Sequence, residues 1–256
     1  MAGSILRLER LTKRFGGLVA VDNVDFDLPQ DCLHAIIGPN GAGKTTLFNL
    51  ISGFLKASSG RVIFDDHDIT QLKTHRISQL GIARSLQVKS VFSGMTVAEN
   101  IWIAAQSRRS VFHAFRPARS FRGTQRTVAR ILAQMGLERF ASREAGTLSY
   151  GDVALLEMGI ALATEPRLLL LDEPVCGMSP AETEQTVAKI KELSKTVNII
   201  IIEHDMEVVF EVADNITVMA QGRILAQGAP KEITENRAVR EAYLGDPETE
   251  EDLVHA

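Results

Sequence analysis

The stretch Gly38-Pro39-Asn40-Gly41-Ala42-Gly43-Lys44-Thr45 constrains this chain more than any other segment. It matches the pattern G-x-x-x-x-G-K-[ST] and lies between a strand-like run and a helix-like one. Ahead of it, Cys32–Gly38 reads C-L-H-A-I-I-G, mostly apolar, as suits a buried strand that ends in glycine. Behind it, T-T-L-F-N-L-I-S-G reads as a short helix that stops near Gly53. Glycines let successive backbone N–H groups turn inward, and a helix start adds the positive end of its dipole, so such a loop holds polyanionic phosphate. Lys44 is long enough to reach the β- and γ-phosphates of a nucleotide, and the Thr45 hydroxyl suits Mg²⁺. The alternative is a glycine-rich turn with no ligand; at ordinary glycine usage a chance match in a chain of this length is roughly a 1% event. The motif alone leaves adenine and guanine both open.

A second segment joins it. Leu168-Leu169-Leu170-Leu171-Asp172-Glu173-Pro174 is an apolar strand that delivers two carboxylates at its C-terminal end. In parallel α/β sheets ligands sit beyond the carboxyl ends of the strands, where the phosphate loop also lies. Asp172 fits a Mg²⁺ partner acting through water, and Glu173, on the opposite face, fits the group that polarises an attacking water. A strand leaving the core through a polar turn is the plainer reading of this motif in isolation; beside the phosphate loop, the nucleotide reading is the stronger.

The rest of the chain alternates. Strands are expected around Ile5–Leu11 and Val19–Leu28, the second with Val24, Phe26 and Leu28 alternating against Asp25 and Asp27. From Ser149 the pattern predicts a helix to about Thr164, a strand over Arg167–Leu171, a helix over Pro180–Ser194 and a strand over Val197–Ile202. Alternation of this kind favours a parallel sheet with helices packed on it. Ser179, Pro180 and Glu182 form a helix start with a Ser-x-x-Glu capping box, and Val187, Ile190 and Leu193 supply its buried stripe. Between about Val97 and Gly146 strand signals vanish, and Thr127–Met135 shows helical spacing, as expected of a helical subdomain inserted in the α/β domain.

Composition narrows the setting. The 256 residues carry 45% apolar and 23% charged side chains, an ordinary globular balance. The longest aliphatic runs, Leu168–Leu171 and Ile199–Ile202, fall far short of the ~20 residues that span a bilayer. Nothing in Met1–Leu11 reads as a secretory signal. Cys32 and Cys176 suggest neither a disulfide framework nor a zinc site. The expectation is a soluble, cytosolic chain. The net charge of −4 hides an asymmetry. Asn100–Leu137 has no acid but includes Arg108, Arg109, Arg116, Arg119, Arg122, Arg126 and Arg130, whereas Asp246–Ala256 holds five acids and no Lys or Arg. That excludes a globally basic nucleic-acid binder while leaving room for a local basic surface.

Leu148-Ser149-Tyr150-Gly151-Asp152, twenty residues before Asp172, resembles the L-S-G-G-Q signature of ATP-binding cassette (ABC) proteins, and the order of motifs matches that family's nucleotide-binding domain. In isolation the pentapeptide is an ordinary serine N-cap. The resemblance implies an α/β fold: a P-loop ABC-type nucleotide-binding domain with a RecA-like parallel-sheet core, an N-terminal antiparallel β-subdomain and an α-helical subdomain inserted at about 97–165. One domain would span 1–245, followed by an acidic tail at 246–256. It also implies roles for residues. Phe15 would stack on adenine, with a core phenylalanine as the alternative, and Gly38 to Thr45 with Thr46 would hold the ATP phosphates. Thr45, Gln87 and Asp172 would serve Mg²⁺. Glu173, His204 and Gln87 would act in hydrolysis, and Ser149 and Gly151 would meet the ATP of a second subunit across a head-to-tail dimer. Tyr150, Asp152 and the Val153-Ala154-Leu155 run depart from the family pattern, as does Gly177-Met178-Ser179-Pro180 where S-A-L-D is common. The last of these puts in doubt the usual aspartate-mediated communication between the two sites.

The G-M-S-P loop, the L-S-Y-G signature and M-T-V-A-E-N-I resemble one branch, the ATPase subunits of importers for branched-chain amino acids and for urea and short-chain amides; Q-V-K-S-V-F leans toward the urea type. The resemblance implies ATP and Mg²⁺ as cofactors and a second, different ATPase chain as partner. It also implies two integral membrane permease subunits and, indirectly, a solute-binding protein, with a peripheral place on the cytoplasmic face of the inner membrane and no nucleic acid. The rival is a soluble ABC ATPase acting on nucleic acid or ribosomes, suggested by Phe112, Phe115 and Phe121 interleaved with the arginines. Against it stand the single cassette and the lack of a coiled-coil insertion. A small-molecule P-loop kinase would leave the signature and His204 unexplained. Within an importer, the arginine block is expected to meet acidic loops or anionic lipid.

Overall fold

The structure, a computed structural model, describes residues 4–85, 91–107 and 122–243. The chain opens with two long strands, β1 (Ser4–Phe15) and β2 (Leu18–Pro29), then β3 (Leu33–Ile37), helix α1 (Lys44–Ile51), β4 (Ser59–Phe64) and β5 (His67–Asp68). Helix α2 (Thr74–Leu80) and β6 (Ile82–Arg84) follow, then α3 (Val97–Gln106), α4 (Arg122–Met135) and α5 (Tyr150–Leu162). The remainder alternates: β7 (Leu168–Asp172), α6 (Pro180–Ser194), β8 (Asn198–Ile202), α7 (Met206–Val212), β9 (Asn215–Ala220), β10 (Arg223–Gly228), α8 (Pro230–Glu235) and α9 (Arg237–Tyr243).

Two sheets result. Strands β2-β1-β4-β5 form an antiparallel sheet, and β10-β9-β3-β8-β7-β6 form a second one, parallel throughout except for the β9–β10 hairpin. The apolar runs of the central strands follow from burial on both faces. Leu168, Leu170, Ile200, Ile202 and Ile36 join the core shared with α1 and the antiparallel sheet, while Leu169, Leu171, Ile199, Ile201, Ala35 and Ile37 join the core beneath α6, α7 and the helical region. Each strand therefore feeds two cores with alternate side chains.

The central strand ends fall level. Ile36 pairs with Ile202, and Ile202 in turn pairs with Asp172. That row sets the carboxyl ends of β3, β8 and β7 side by side at one sheet edge. The expected strands and helices are present with small shifts of boundary. Strand β1 continues past Leu11 to Phe15 with irregular register against β2, and α4 starts at Arg122, five residues before the helical spacing of Thr127–Met135. Helix α6 spans the expected Pro180–Ser194, its capping box closed by Glu182 accepting from the Ser179 backbone at 3.1 Å and hydroxyl at 2.8 Å.

Helices α3, α4 and α5 pack on one another around Gly159. A Cβ there would lie 3.1 Å from Ile131 Cγ2 and 3.2 Å from Met135 Cγ, so the glycine permits the close approach of α5 to α4. Thr96 caps α3 with a capping box to Glu99. Among the described residues no helix is long and apolar enough to cross a membrane.

Candidate functional site

The phosphate loop springs from β3. Gly38 has φ +148°, and a Cβ there would sit 2.1 Å from the Met219 carbonyl oxygen; Gly43, at φ +101°, would drive one to 2.4 Å from the Ala20 oxygen. Both positions therefore require glycine. Backbone bonds from Ala42 to the Pro39 oxygen (3.1 Å) and from Gly222 to the Ala42 oxygen (3.0 Å) hold the loop's shape. Helix α1 begins at Lys44 with Gly43 as N-cap and no side-chain cap, so its first N–H groups lack the internal carboxylate or hydroxyl that most helices supply. Asn40 and Thr45 are exposed and Thr46 half-buried on the outer side of this turn.

Lys44 is folded back on its own loop. Its ammonium donates to the Gly38 oxygen and, at 3.2 Å, to the Pro39 oxygen. Burial holds its pKa below the usual lysine value, while the nearby Glu173 and Asp172 carboxylates push the other way. Phosphate oxygens would be stronger acceptors than these two carbonyls.

At the neighbouring strand end, Asp172 is buried, with its side chain 1% exposed, and Glu173 emerges with its side chain 26% exposed. Glu173 stands at φ +50°, an uncommon backbone region for a non-glycine residue, secured by its N–H to the Ile202 oxygen at 2.9 Å. His204 follows β8, its side chain 66% exposed, with Nδ1 4.0 Å from Glu173 Oε1. The structure thus brings Gly38–Thr46, Asp172, Glu173 and His204 to one sheet edge.

Asp172 also tests the place expected for Mg²⁺. Its Oδ2 accepts from Arg84 at 2.7 Å, while Oδ1 is buried with no hydrogen-bond partner among the described residues. One uncommitted carboxylate oxygen fits a hard cation or its water shell. Among the described residues no group of three or more His, Cys, Asp or Glu side chains could hold a metal.

The signature residues start helix α5. Ser149 is the N-cap of α5 and accepts from the Asp152 N–H at 3.2 Å, so its role as a helix cap is real. The Gly151 N–H donates to Glu182 Oε1 at 3.2 Å. Hydrogen bonds from Ser179, Gly151 and Ser149 lower the Glu182 pKa to about 2. A cavity beside the acidic strand end is lined by Tyr150, Val153, Asp172, Glu173, Cys176 and Met178, and none of Gly38–Thr45 lines it. Phe15 ends β1 with 46% of its surface exposed, so it is not a core residue. Gln87, Arg108, Arg109, Arg116 and Arg119 lie outside the described residues, as do Phe112, Phe115, Phe121 and the acidic tail.

Residues 21–176 match the sequence family described as ABC transporter. This chain belongs to that family. Residues 223–249 further match the family described as branched-chain amino acid ATP-binding cassette transporter. The chain is 39% identical over 256 residues to the high-affinity branched-chain amino acid transport ATP-binding protein BraF of Pseudomonas aeruginosa, covering 96% of this chain and 100% of BraF. It is also 39% identical to LivG of Escherichia coli K12, a protein of the same description, covering 96% and 100%. The solved ATP-binding cassette MJ1267 of an ABC transporter superposes with a TM-score of 0.85 at 34% identity, over 94% of this chain and 99% of that one. The fold is the ABC-type α/β fold expected from the motifs, and the chain is an ABC ATPase.

Three residues of this ABC domain escaped the sequence reading. Arg84 reaches Asp172 across 88 positions. Glu203, wholly buried, accepts from the Val175 and His204 N–H groups at 3.2 Å each, and burial raises its pKa to about 7. Tyr243, on α9, accepts a hydrogen bond from the Gly38 backbone, which ties the C-terminal helix to the start of the phosphate loop. Only Glu203 left a trace, as an acid interrupting the run I-I-I-I-E-H-D.

Proposed function

We propose that this chain binds and hydrolyses ATP to drive an importer for branched-chain or other hydrophobic amino acids. The observation that carries the reading is the level row of strand ends, which assembles the phosphate loop, the Asp172–Glu173 pair and His204 at one edge. The match of residues 223–249 and the named functions of BraF and LivG support the solute class.

In this reading the α1 N-terminus and the loop's N–H groups bind the phosphates, and Lys44 leaves its own carbonyls to meet them. Thr45, Asp172 and Gln87 would hold Mg²⁺, which supplies charge neutralisation on the phosphates. Glu173 orients the attacking water, and His204, 4.0 Å away, meets the terminal phosphate and keeps that carboxylate in place. Phe15 offers an exposed aromatic face for the adenine ring. The helix start at Ser149–Gly151 is read here as meeting the ATP of a second ATPase chain in head-to-tail contact. Two permease subunits and a solute-binding protein complete the assembly, with this chain peripheral on the cytoplasmic face of the membrane. A groove lined by Phe54, Thr74, Ser78, Glu157, Ile160 and Thr164, with Phe54 53% exposed, offers the permeases a seat of mixed polarity.

Glu173→Gln tests the chemistry. The variant should trap an ATP-bound dimer with the partner ATPase, visible by size-exclusion chromatography, while hydrolysis falls by two orders of magnitude or more. Hydrolysis at the wild-type rate would remove Glu173 from the role assigned here. Isolation of the complex from its native host in mild detergent should yield permease subunits.

A further inference from the structure

The guanidinium of Arg84 occupies an unusual place. It ends β6 with its side chain only 8% exposed, and it bridges the acidic strand end and helix α1. Nη2 donates to Asp172 Oδ2 at 2.7 Å. Nη1 donates to Asn49 Oδ1 at 2.7 Å and to Ser52 Oγ at 3.4 Å, the first on α1 and the second its C-cap. The same group lies over the rings of Phe48, 5.5 Å away, and Phe54, 5.9 Å away.

An ion pair this deep is a poor way to gain stability, because desolvating two charges offsets most of their attraction. Its geometry argues for placement. One fork of the guanidinium takes one oxygen of Asp172 and leaves Oδ1 as that carboxylate's single uncommitted acceptor. The other fork is anchored on the helix that starts at Lys44. We propose that Arg84 is a positioning residue for ATP hydrolysis, clamping Asp172 to the phosphate-loop helix so that one carboxylate oxygen is presented in a fixed orientation. A lysine could carry the charge but not the two-armed reach. The clamp rests on the reading of Asp172 as the carboxylate that serves Mg²⁺.

The test measures the Mg²⁺ concentration for half-maximal binding of a fluorescent ATP analogue to the full chain, with nucleotide binding in EDTA as the second readout. Arg84→Lys and Arg84→Met should raise the Mg²⁺ half-saturation roughly tenfold to a hundredfold, as loss of an outer-shell partner does. Binding in EDTA should stay within about twofold of the wild type, since uniform nucleotide contacts are untouched. Asn49→Ala, which cuts only the helix-side arm, should shift Mg²⁺ dependence in the same direction by less, and it serves if the Arg84 variants do not fold. Wild-type Mg²⁺ dependence in every folded variant, beside a clear shift in Asp172→Asn, would overturn the clamp and leave Asp172 in its role. No shift in Asp172→Asn would instead overturn the reading on which the clamp rests. Equal losses with and without Mg²⁺ would mark Arg84 as a merely structural residue and also overturn the clamp.

Discussion

Lys44 is held in a setting that works against its own charge. Burial lowers its proton affinity, and its partners are two backbone carbonyls of the loop it belongs to. A polyphosphate would replace neutral acceptors with charged ones, so most of the lysine's electrostatic value is realised only on binding. Lys44→Ala should therefore weaken ATP binding by about 10–100-fold, the equivalent of one charged hydrogen bond, with little change in melting temperature. Titration with a fluorescent nucleotide reads the first effect and thermal denaturation the second. The same scale shows what a motif can and cannot disclose. The glycines at 38 and 43 were legible because the pattern names them, and the structure supplies the reason: each lacks a Cβ that would strike a backbone carbonyl. Arg84 was not legible, because its meaning lies in Asn49 and Asp172, 35 and 88 positions away.

Among elements, those with a strong internal pattern were read closely. Strands β7 and β8 each carry a run of four buried apolar residues, and α6 carries its own capping box and buried stripe. Strands β5 and β6, two and three residues long, are too short to imprint a period, and β6 nevertheless places Arg84. Helix α5 is a case between. Its start at Ser149 was expected, but its packing depends on Gly159, which no helical periodicity singles out. Gly159→Val should cost about 1–3 kcal/mol, because its side chain would press on Ile131 and Met135, already 3.1 and 3.2 Å from a bare Cβ. Urea denaturation should show that loss as a lower midpoint with an unchanged slope.

Across the whole molecule, two buried groups, His34 on β3 and Glu203 just after β8, oppose each other in their response to pH. His34, paired with Thr217 Oγ1 at 2.7 Å, has its pKa lowered by burial from 6.5 to about 4, so the unfolded chain binds its proton first and stability falls as pH drops through that window. Glu203 has its pKa raised by burial from 4.5 to about 7, so the folded chain keeps a proton the unfolded chain has lost, and stability falls as pH rises through that window. Each contributes a slope of up to about 1.4 kcal/mol per pH unit, of opposite sign where the windows overlap. Against the wild-type curve, His34→Leu should tilt the melting temperature downward as pH rises between about 4.5 and 6.5, and Glu203→Gln should tilt it upward. Melting curves across that range check both slopes.

The division between sequence and structure follows from distance along the chain. Local pattern was enough for the phosphate loop, the acidic strand end, the serine cap of the signature helix and the parallel α/β class, because each depends on residues within about one element of one another. Tertiary structure alone decided the level row of Ile36, Ile202 and Asp172, the Arg84 clamp, the buried Glu203 between β7 and His204, and the Tyr243 contact to Gly38. Those contacts join elements that are neighbours in the fold but far apart in order, and such pairing is a property of the folded molecule that periodicity within one segment does not encode.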